Sequence, residues 1–588
     1  MLERWFWGAI AVVAGLLAVV QILSIRQEAQ IWDEGFEIVG GYQYLTTGEY
    51  RTSLENPPLE RILEAIPLLF LRPDLKGAAR EAHNTITSDV DAGVEFLYHN
   101  SIPADTILFA ARLPMIAVTV GLVCLLGAWC RRRFGAAVGI VAALLFSLDP
   151  TVIAQGRYVK NDMTVAATAF LAVIAWEWFL TTGKTAALIC SGVALGLALG
   201  SKNSAVFLLP VFLILHVLSG AGLRPAFRSF TAVGALAAAV ILILYAPYDG
   251  ALLPRGRGSA GVPLRETVDQ ATVFGRAVAW LGSRLGWRDH PYLTGLTHFA
   301  NHSGGTHPAY LWGNHAVSGW SYYFPFAFAV KTPVAVLAAL VVLIALATVR
   351  LRWKQIREAF SRCLVRTTER GPERALAWFA MLTPMIFYGA LSAAGHVDIG
   401  LRHLLPIYPF FYALLAAGLL TLRWKGKTPV MAVILLAAAA ESLAAYPYYT
   451  AFFNVAVGGP KNGPKYLVDS NIDWGQDLKR LGQFSAQHGS PRICVTYFGT
   501  APAWYYVPRA GNFPALEEIR KGTDLDCEFA AVSVTPLEGV YVPQELFAWL
   551  RDVPPLERIG YSIYVWDVHD PAVTAALARL REEAASQR

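Results

Sequence analysis

Apolar runs close to the roughly 20 residues that a helix needs to cross the hydrocarbon core recur along this chain. We read eleven of them, near 5–25, 106–129, 135–150, 163–181, 185–200, 203–219, 229–247, 325–349, 375–394, 404–422 and 428–446. The third and fifth are short. Because lipid offers no partner for backbone N–H and C=O groups, such runs must satisfy themselves as helices, so the fold class is an α-helical polytopic membrane protein. Composition agrees: 55% of the 588 residues are hydrophobic and 16% are charged, where soluble domains carry about 25% charged residues. The apolar excess excludes disorder. A net charge of +6, with its bases mainly in short loops, argues against a nucleic-acid partner.

Orientation follows from those bases. Threading eleven spans puts Arg131-Arg132-Arg133, Lys184, Arg224 with Arg228, the 350–374 loop and Arg423/Lys425/Lys427 on one side. Basic loops mark the cytoplasmic side. The other side receives loop 26–105, with 14 acids and 6 bases, loop 248–322, and everything after about 447. No small-residue cleavage site follows the first span, and Trp32-Asp33-Glu34 comes directly after it, so it reads as a retained span. We expect a bundle over 1–446, a linker over 447–469 and an outer-side α/β domain over 470–588. In that domain 474–488 reads as an amphipathic helix, 492–498, 529–534 and 562–566 as strands, and 571–585 as a closing helix. It has no glycine-rich nucleotide loop. Cys494 and Cys527 can pair there if the domain meets an oxidising compartment.

Ionisable residues at span ends on one side are functional candidates by default. Asp33 and Glu34 follow the first span. A helix N-cap explains one acid, worth about 1 kcal/mol, but does not need two. An Asp against a low-dielectric surface can accept a proton from a hydroxyl. Asn56-Pro57-Pro58 opens a helix whose apolar face, Leu59, Ile62, Leu63 and Ile66, suits the bilayer surface. Arg157 to Asp162 precedes the fourth span, where Asp162 reads as a cap or as a second pocket acid. Lys202, Lys331 and Arg402 with His403 are cations that either snorkel or, beside aromatics such as Tyr322 and Tyr323, receive a lipid-borne phosphate. His298 and His302 stand four apart, a metal-ligand spacing on a helix. Pro291, Pro308 and five glycines from 295 to 319 argue against a regular helix there and for cavity-lining loop residues.

These segments together resemble bacterial members of the GT-C superfamily, in particular phospholipid-carrier-dependent glycosyltransferases of the protein O-mannosyltransferase and aminoarabinose transferase kind. The matching pieces are Trp32-Asp33-Glu34, Asn56-Pro57-Pro58-Leu59, Arg157 to Asp162, Gly196 to Lys202, Tyr322 to Lys331-Thr332-Pro333, Gly400 to Pro406 and Asp469 to Leu478. They occur in the same order, over about 30 to 480. The resemblance implies transfer of a sugar from a polyprenyl-phosphate donor to an acceptor hydroxyl on the non-cytoplasmic face of a bacterial inner membrane. It implies Asp33 as catalytic base, with Glu34 and Asp162 shaping the pocket, and Lys202, Lys331 and Arg402 near the donor phosphate. Asn56 stands where aminoarabinose transferases carry Lys, which shifts the phosphate contact of this loop toward Arg61 or Lys202. No cofactor is called for, a divalent cation is left open, and the acceptor is unspecified as protein, glycolipid or glycan. A glycosyl phosphate has a good leaving group, so a base and nearby cations suffice, and single displacement would invert the anomeric centre. The rival reading is a transporter or flippase of lipid-linked sugars. No inverted repeat supports it, and long outer segments suit a fixed site better than rocking halves.

Overall fold

The computed structural model describes residues 2–53, 55–75, 77, 85–220, 222–248, a few positions between 276 and 284, 290–304, 307–350, 371–395, 397–422 and 424–586. The basic residues from 351 to 370 and most of loop 248–322 before His290 lie outside it.

Among the described residues seven helices are long and apolar enough to cross a membrane: Leu2–Ile25, Ala104–Phe134, Asn161–Thr182, Ala226–Leu244, Ala375–Ala394, Leu401–Thr421 and Lys427–Ala444. The chain is a multi-pass membrane protein. An eighth span exists only as the pair Tyr323–Lys331 and Val334–Thr348, bent by 116°. Pro333 causes the break, since it lacks an N–H and forces the preceding Thr332 into extended backbone, ψ 138°. The three remaining apolar runs form the shorter helices Ala136–Ser147, Thr185–Leu199 and Asn203–Leu218. At 1.5 Å per residue the first covers about 18 Å, well short of a core of about 30 Å. The expected eleven crossings are therefore seven or eight full-length ones with three short apolar helices packed among them.

Loop 26–105 is a folded layer of helices, including Glu34–Thr47, Leu59–Ala65 and Ile86–Tyr98. In the Leu59–Ala65 helix Glu60, Arg61 and Glu64 are buried in the protein, while Ile66, on the apolar face, is exposed. Its neighbour explains this. Gly40 and Gly41 let the Glu34–Thr47 helix approach so closely that a Cβ at Gly41 would overlap the Arg61 carbonyl. That approach brings Arg61 onto Glu37, and the ion pair settles which face turns inward.

The tail contains a five-stranded sheet in the order Ala510–Gly511, Ile493–Thr496, Phe529–Ser533, Ile563–Asp567, Glu557–Ile559. The first two pairings are parallel and the last two antiparallel. Three strands and the Leu478–Gln487 and Pro571–Ser586 helices fall where the sequence places them; the two short edge strands carry too few residues for a period-2 signal. Alternation gives the sheet two apolar faces. Ile493, Val495, Ala531 and Val565 pack with Phe96, Ile107, Leu108 and Val159 of the bundle and its outer loop. Cys494, Ala530, Val532 and Trp566 pack under Val573 and Leu577 of the closing helix. A Cys494–Cys527 disulfide joins two neighbouring strand regions.

Candidate functional site

The Asp469 to Leu478 segment ties tail to bundle. Trp32 donates its backbone N–H to Trp474 O at 2.8 Å, and Ala29 does so to Gln476 O at 2.9 Å. The Thr500 hydroxyl donates to Trp32 O at 2.7 Å, and the Trp32 ring stacks on Phe498 at 4.8 Å. The turn carrying Asp33 and Glu34 is therefore held by the tail as much as by the span preceding it.

Glu34 and Asp33 have different fates. Glu34 is fully buried and accepts from Arg112 Nε at 2.8 Å, Arg112 Nη2 at 2.6 Å, Ile31 N at 2.9 Å and Val159 N at 3.0 Å. With its oxygens so occupied it cannot serve as a second reacting acid; it positions the turn. Asp33 stands at the N-cap position but makes no side-chain cap bond. Its carboxylate, 16% exposed, meets Lys160 Nζ at 3.3 Å. The cap reading is overturned, and Asp33 is the acid left open.

Lys160 also lies 3.6 Å from Glu37, which accepts from Arg61 Nε at 2.8 Å and Asn56 Nδ2 at 2.6 Å. Burial alone would raise the Glu37 carboxyl, but Arg61 and Lys160 hold it below the usual carboxylate range. Burial likewise opposes the Lys160 ammonium, and Asp33 and Glu37 hold it above the usual lysine range. Asn161 Nδ2 donates to Asn56 Oδ1 at 2.9 Å, linking this loop to the Asn161–Thr182 helix, which also carries Asp162. Asp162 takes Lys202 on one oxygen and Arg402 Nη1 on the other at 3.0 Å. Arg402 donates from Nε to Ser470 Oγ at 3.1 Å, and its guanidinium lies 4.5 Å from the centre of the Trp474 ring. His403 is half-buried within electrostatic reach of Arg402, Lys202 and Asp162, and its Nε2 has no hydrogen-bond partner among the described residues.

The structure thus joins Asp33, Asn56, Asp162, Lys202, Arg402 and His403, and adds Lys160 and Glu37. It takes four other cations and aromatics away. Arg61 donates to Glu37, Thr52 O at 2.6 Å and Ser53 O at 2.7 Å, leaving no fork for a phosphate. Lys331, at the break of the bent pair, donates to the carbonyls of Thr450, at 3.0 Å, and Asn471. Arg157 is sealed against Glu28 at 2.6 Å. Tyr322 is 57% exposed and makes none of these contacts, whereas the buried Tyr323 hydroxyl accepts from Asn471 Nδ2 at 2.9 Å and supports the cluster from behind. His298 and His302 lie in a regular helix, Pro291–Gly304, despite the glycines. Their side chains lie outside the described residues, and among those described no three His, Cys, Asp or Glu gather around a metal-sized space.

Charge decides what the cluster accepts. Glu37 offsets Arg61 and Asp33 offsets Lys160, while Asp162 alone faces both Lys202 and Arg402. Within these ion pairs the cations outnumber the carboxylates by one, which suits an added anion. Glu60 and Glu64, two acids the sequence reading passed over, are fully buried beside Glu37, and none of their oxygens has a hydrogen-bond partner among the described residues. Burial and then neighbouring carboxylates hold both well above the usual carboxylate range.

One anchor of the tail titrates. Asp473 accepts from Ser533 Oγ at 2.7 Å and Thr535 N at 3.1 Å, and burial pushes its carboxyl up to about 7 against those bonds. Its folded affinity for a proton exceeds the unfolded one, near 3.9, so its contribution is complete below about pH 4 and is lost as pH rises through 7. Wild-type protein should lose about 2–3 kcal/mol relative to Asp473→Asn between pH 5 and 8. Thermal unfolding of both across that range, showing parallel curves, would refute this.

No curated protein matches the chain significantly. Among solved structures, ArnT from Cupriavidus metallidurans bound to undecaprenyl phosphate aligns over 96% of this chain and 99% of its own, at 11% identity and a TM-score of 0.47. The protein O-mannosyltransferase Pmt1-Pmt2 complex of S. cerevisiae bound to the sugar donor aligns over 41% of this chain and 32% of its own, at 20% identity and a TM-score of 0.31. Archaeal oligosaccharyltransferase AglB from Archaeoglobus fulgidus aligns over 91% and 70%, at 12% identity and a TM-score of 0.39. Residues 104–248 match the family model described as dolichyl-phosphate-mannose-protein mannosyltransferase. That stretch, in which the chain is similar to this family, carries Arg112 and the cluster residues Lys160, Asp162 and Lys202.

Proposed function

We propose that the chain transfers a sugar from a polyprenyl-phosphate carrier to an acceptor hydroxyl, with Asp33 as the base and Lys202 and Arg402 receiving the carrier phosphate. The observation that carries this is the pairing of an open carboxylate, Asp33, with a neighbouring cation pair that shares one carboxylate, Asp162. The acceptor O–H gives its proton to Asp33 as its oxygen bonds to the anomeric carbon. The bond from that carbon to the phosphate oxygen breaks, and the phosphate leaves as an anion beside Lys202 and Arg402. Both cations act in a buried setting, where stabilising a developing charge is worth more than in water. Attack from the face opposite the leaving phosphate inverts the anomeric centre. The Cys494–Cys527 bond supports a tail on the oxidising side of a bacterial inner membrane, where sugars arrive on lipid carriers. Glu34 and Arg61 position the site, and Lys331 braces it.

The test is turnover in lipid nanodiscs with a panel of polyprenyl-phosphate sugars and an envelope acceptor fraction, following sugar transfer and release of polyprenyl phosphate. At least one donor should turn over. Arg402→Gln should lower kcat by about 10²–10³-fold, the cost of one preorganised charge donor. Sugar-lipid binding without turnover for every donor would overturn the reading in favour of transport.

A further inference from the structure

A separate cavity of about 260 Å³ opens where the bundle meets the tail; Arg112 is in its lining and Asp33 is not. Arg26, Glu28, Asp105, Phe109, Arg112 and Lys479 line it. It lies at the end of the Leu2–Ile25 span and the start of the Ala104–Phe134 helix, with Lys479 supplied by the tail. A 31-residue helix is about 46 Å long, so its first turns extend beyond a hydrocarbon core of about 30 Å into the head-group layer. The volume lies just under the ~300–1,000 Å³ of small-molecule sites, which suits a head group whose chains remain in the bilayer.

The lining is charged but unevenly paired. Glu28 is bound by Arg157 at 2.6 Å, and Arg112 is bound to Glu34. Asp105 takes Lys479 at 2.5 Å and the Tyr506 hydroxyl at 2.6 Å. Arg26 has no carboxylate within ion-pair distance among the described residues; its guanidinium lies 5.4 Å from the centre of the Phe109 ring. The cavity therefore presents one uncompensated guanidinium, a second cation on a shared carboxylate, and an apolar wall, all at head-group depth on the tail side.

We propose that this cavity binds the phosphate head group of an anionic phospholipid from the tail-side leaflet, with Arg26 as its principal ligand and Lys479 as the second. The site is distinct from the sugar-transfer cluster, and the proposal does not depend on the transferase reading. Arg112 joins the two, since it lines the cavity and is also bound to Glu34, the neighbour of Asp33.

The experiment is native mass spectrometry of the full chain with short-chain phosphatidylglycerol, short-chain phosphatidylcholine and inorganic phosphate. Phosphatidylglycerol should be retained at least tenfold more than phosphatidylcholine. Arg26→Glu should abolish that preference, Arg26→Lys should keep most of it, and Arg509→Glu, an exposed tail residue elsewhere, should leave it intact. Equal retention of the two lipids, or no response to Arg26→Glu, overturns the proposal. Inorganic phosphate displacing phosphatidylglycerol at equal concentration also overturns it, making the cavity a free-anion site. Because the readout is binding, failure here leaves the turnover assay untouched.

Discussion

Asp33→Asn should lower turnover by about 10²–10⁴-fold, the usual contribution of a positioned general base. The substitution keeps shape and removes only the capacity to take a proton. Asp33 has no cap hydrogen bond to lose, so the Glu34–Thr47 helix should be unaffected. The cations proposed to receive the phosphate lie on other elements, Lys202 before the 3₁₀ turn Asn203–Phe207 and Arg402 in Leu401–Ile407. Donor binding, measured by retention of the sugar-lipid, should therefore stay within about threefold of wild type, under 1 kcal/mol. A variant that keeps wild-type turnover removes Asp33 from the mechanism. One that loses binding in parallel makes it part of the donor site instead.

Arg112→Met should produce the largest loss of stability, about 3–5 kcal/mol, because it strands Glu34 as an unpaired buried charge. Both partners are at most 1% exposed, so solvent does not screen the pair. Arg112 also donates to Ala29 O at 2.7 Å and Ile25 O at 3.3 Å, the backbone linking the first span to the Asp33 turn. The double variant Arg112→Met/Glu34→Gln should recover much of the stability, since no charge then lacks a partner, while turnover stays low because the turn has lost its clamp. Thermal unfolding in detergent with parallel turnover distinguishes the two effects. If the double variant is no more stable than the single one, the loss comes from the backbone contacts and not from the ion pair.

The open acid illustrates how far the residues themselves lead. Trp32-Asp33-Glu34 after a span marks a place where charge is costly, and that cost is visible in any sequence. Which of two adjacent acids is left open is not, because Arg112 lies 78 positions from Glu34 and no local pattern connects them. The same holds for the cations. Lys202, Lys331, Arg402 and Arg61 look alike as bases near span ends. Arg61 is turned inward by two glycines on a neighbouring helix, and Lys331 is captured by carbonyls at a proline break. Lys202 and Arg402 converge on Asp162 from 40 and 240 residues away.

Membrane class, the apolar segments and most of the tail's elements were written in hydropathy and period, since lipid and backbone act on each segment locally. The number of full crossings, the inward face of the Leu59–Ala65 helix and the membership of the cluster were decided only by tertiary structure. Those depend on which buried charges find each other, and a desolvated ion pair is settled by distances in the folded chain, to which spacing along the sequence is blind.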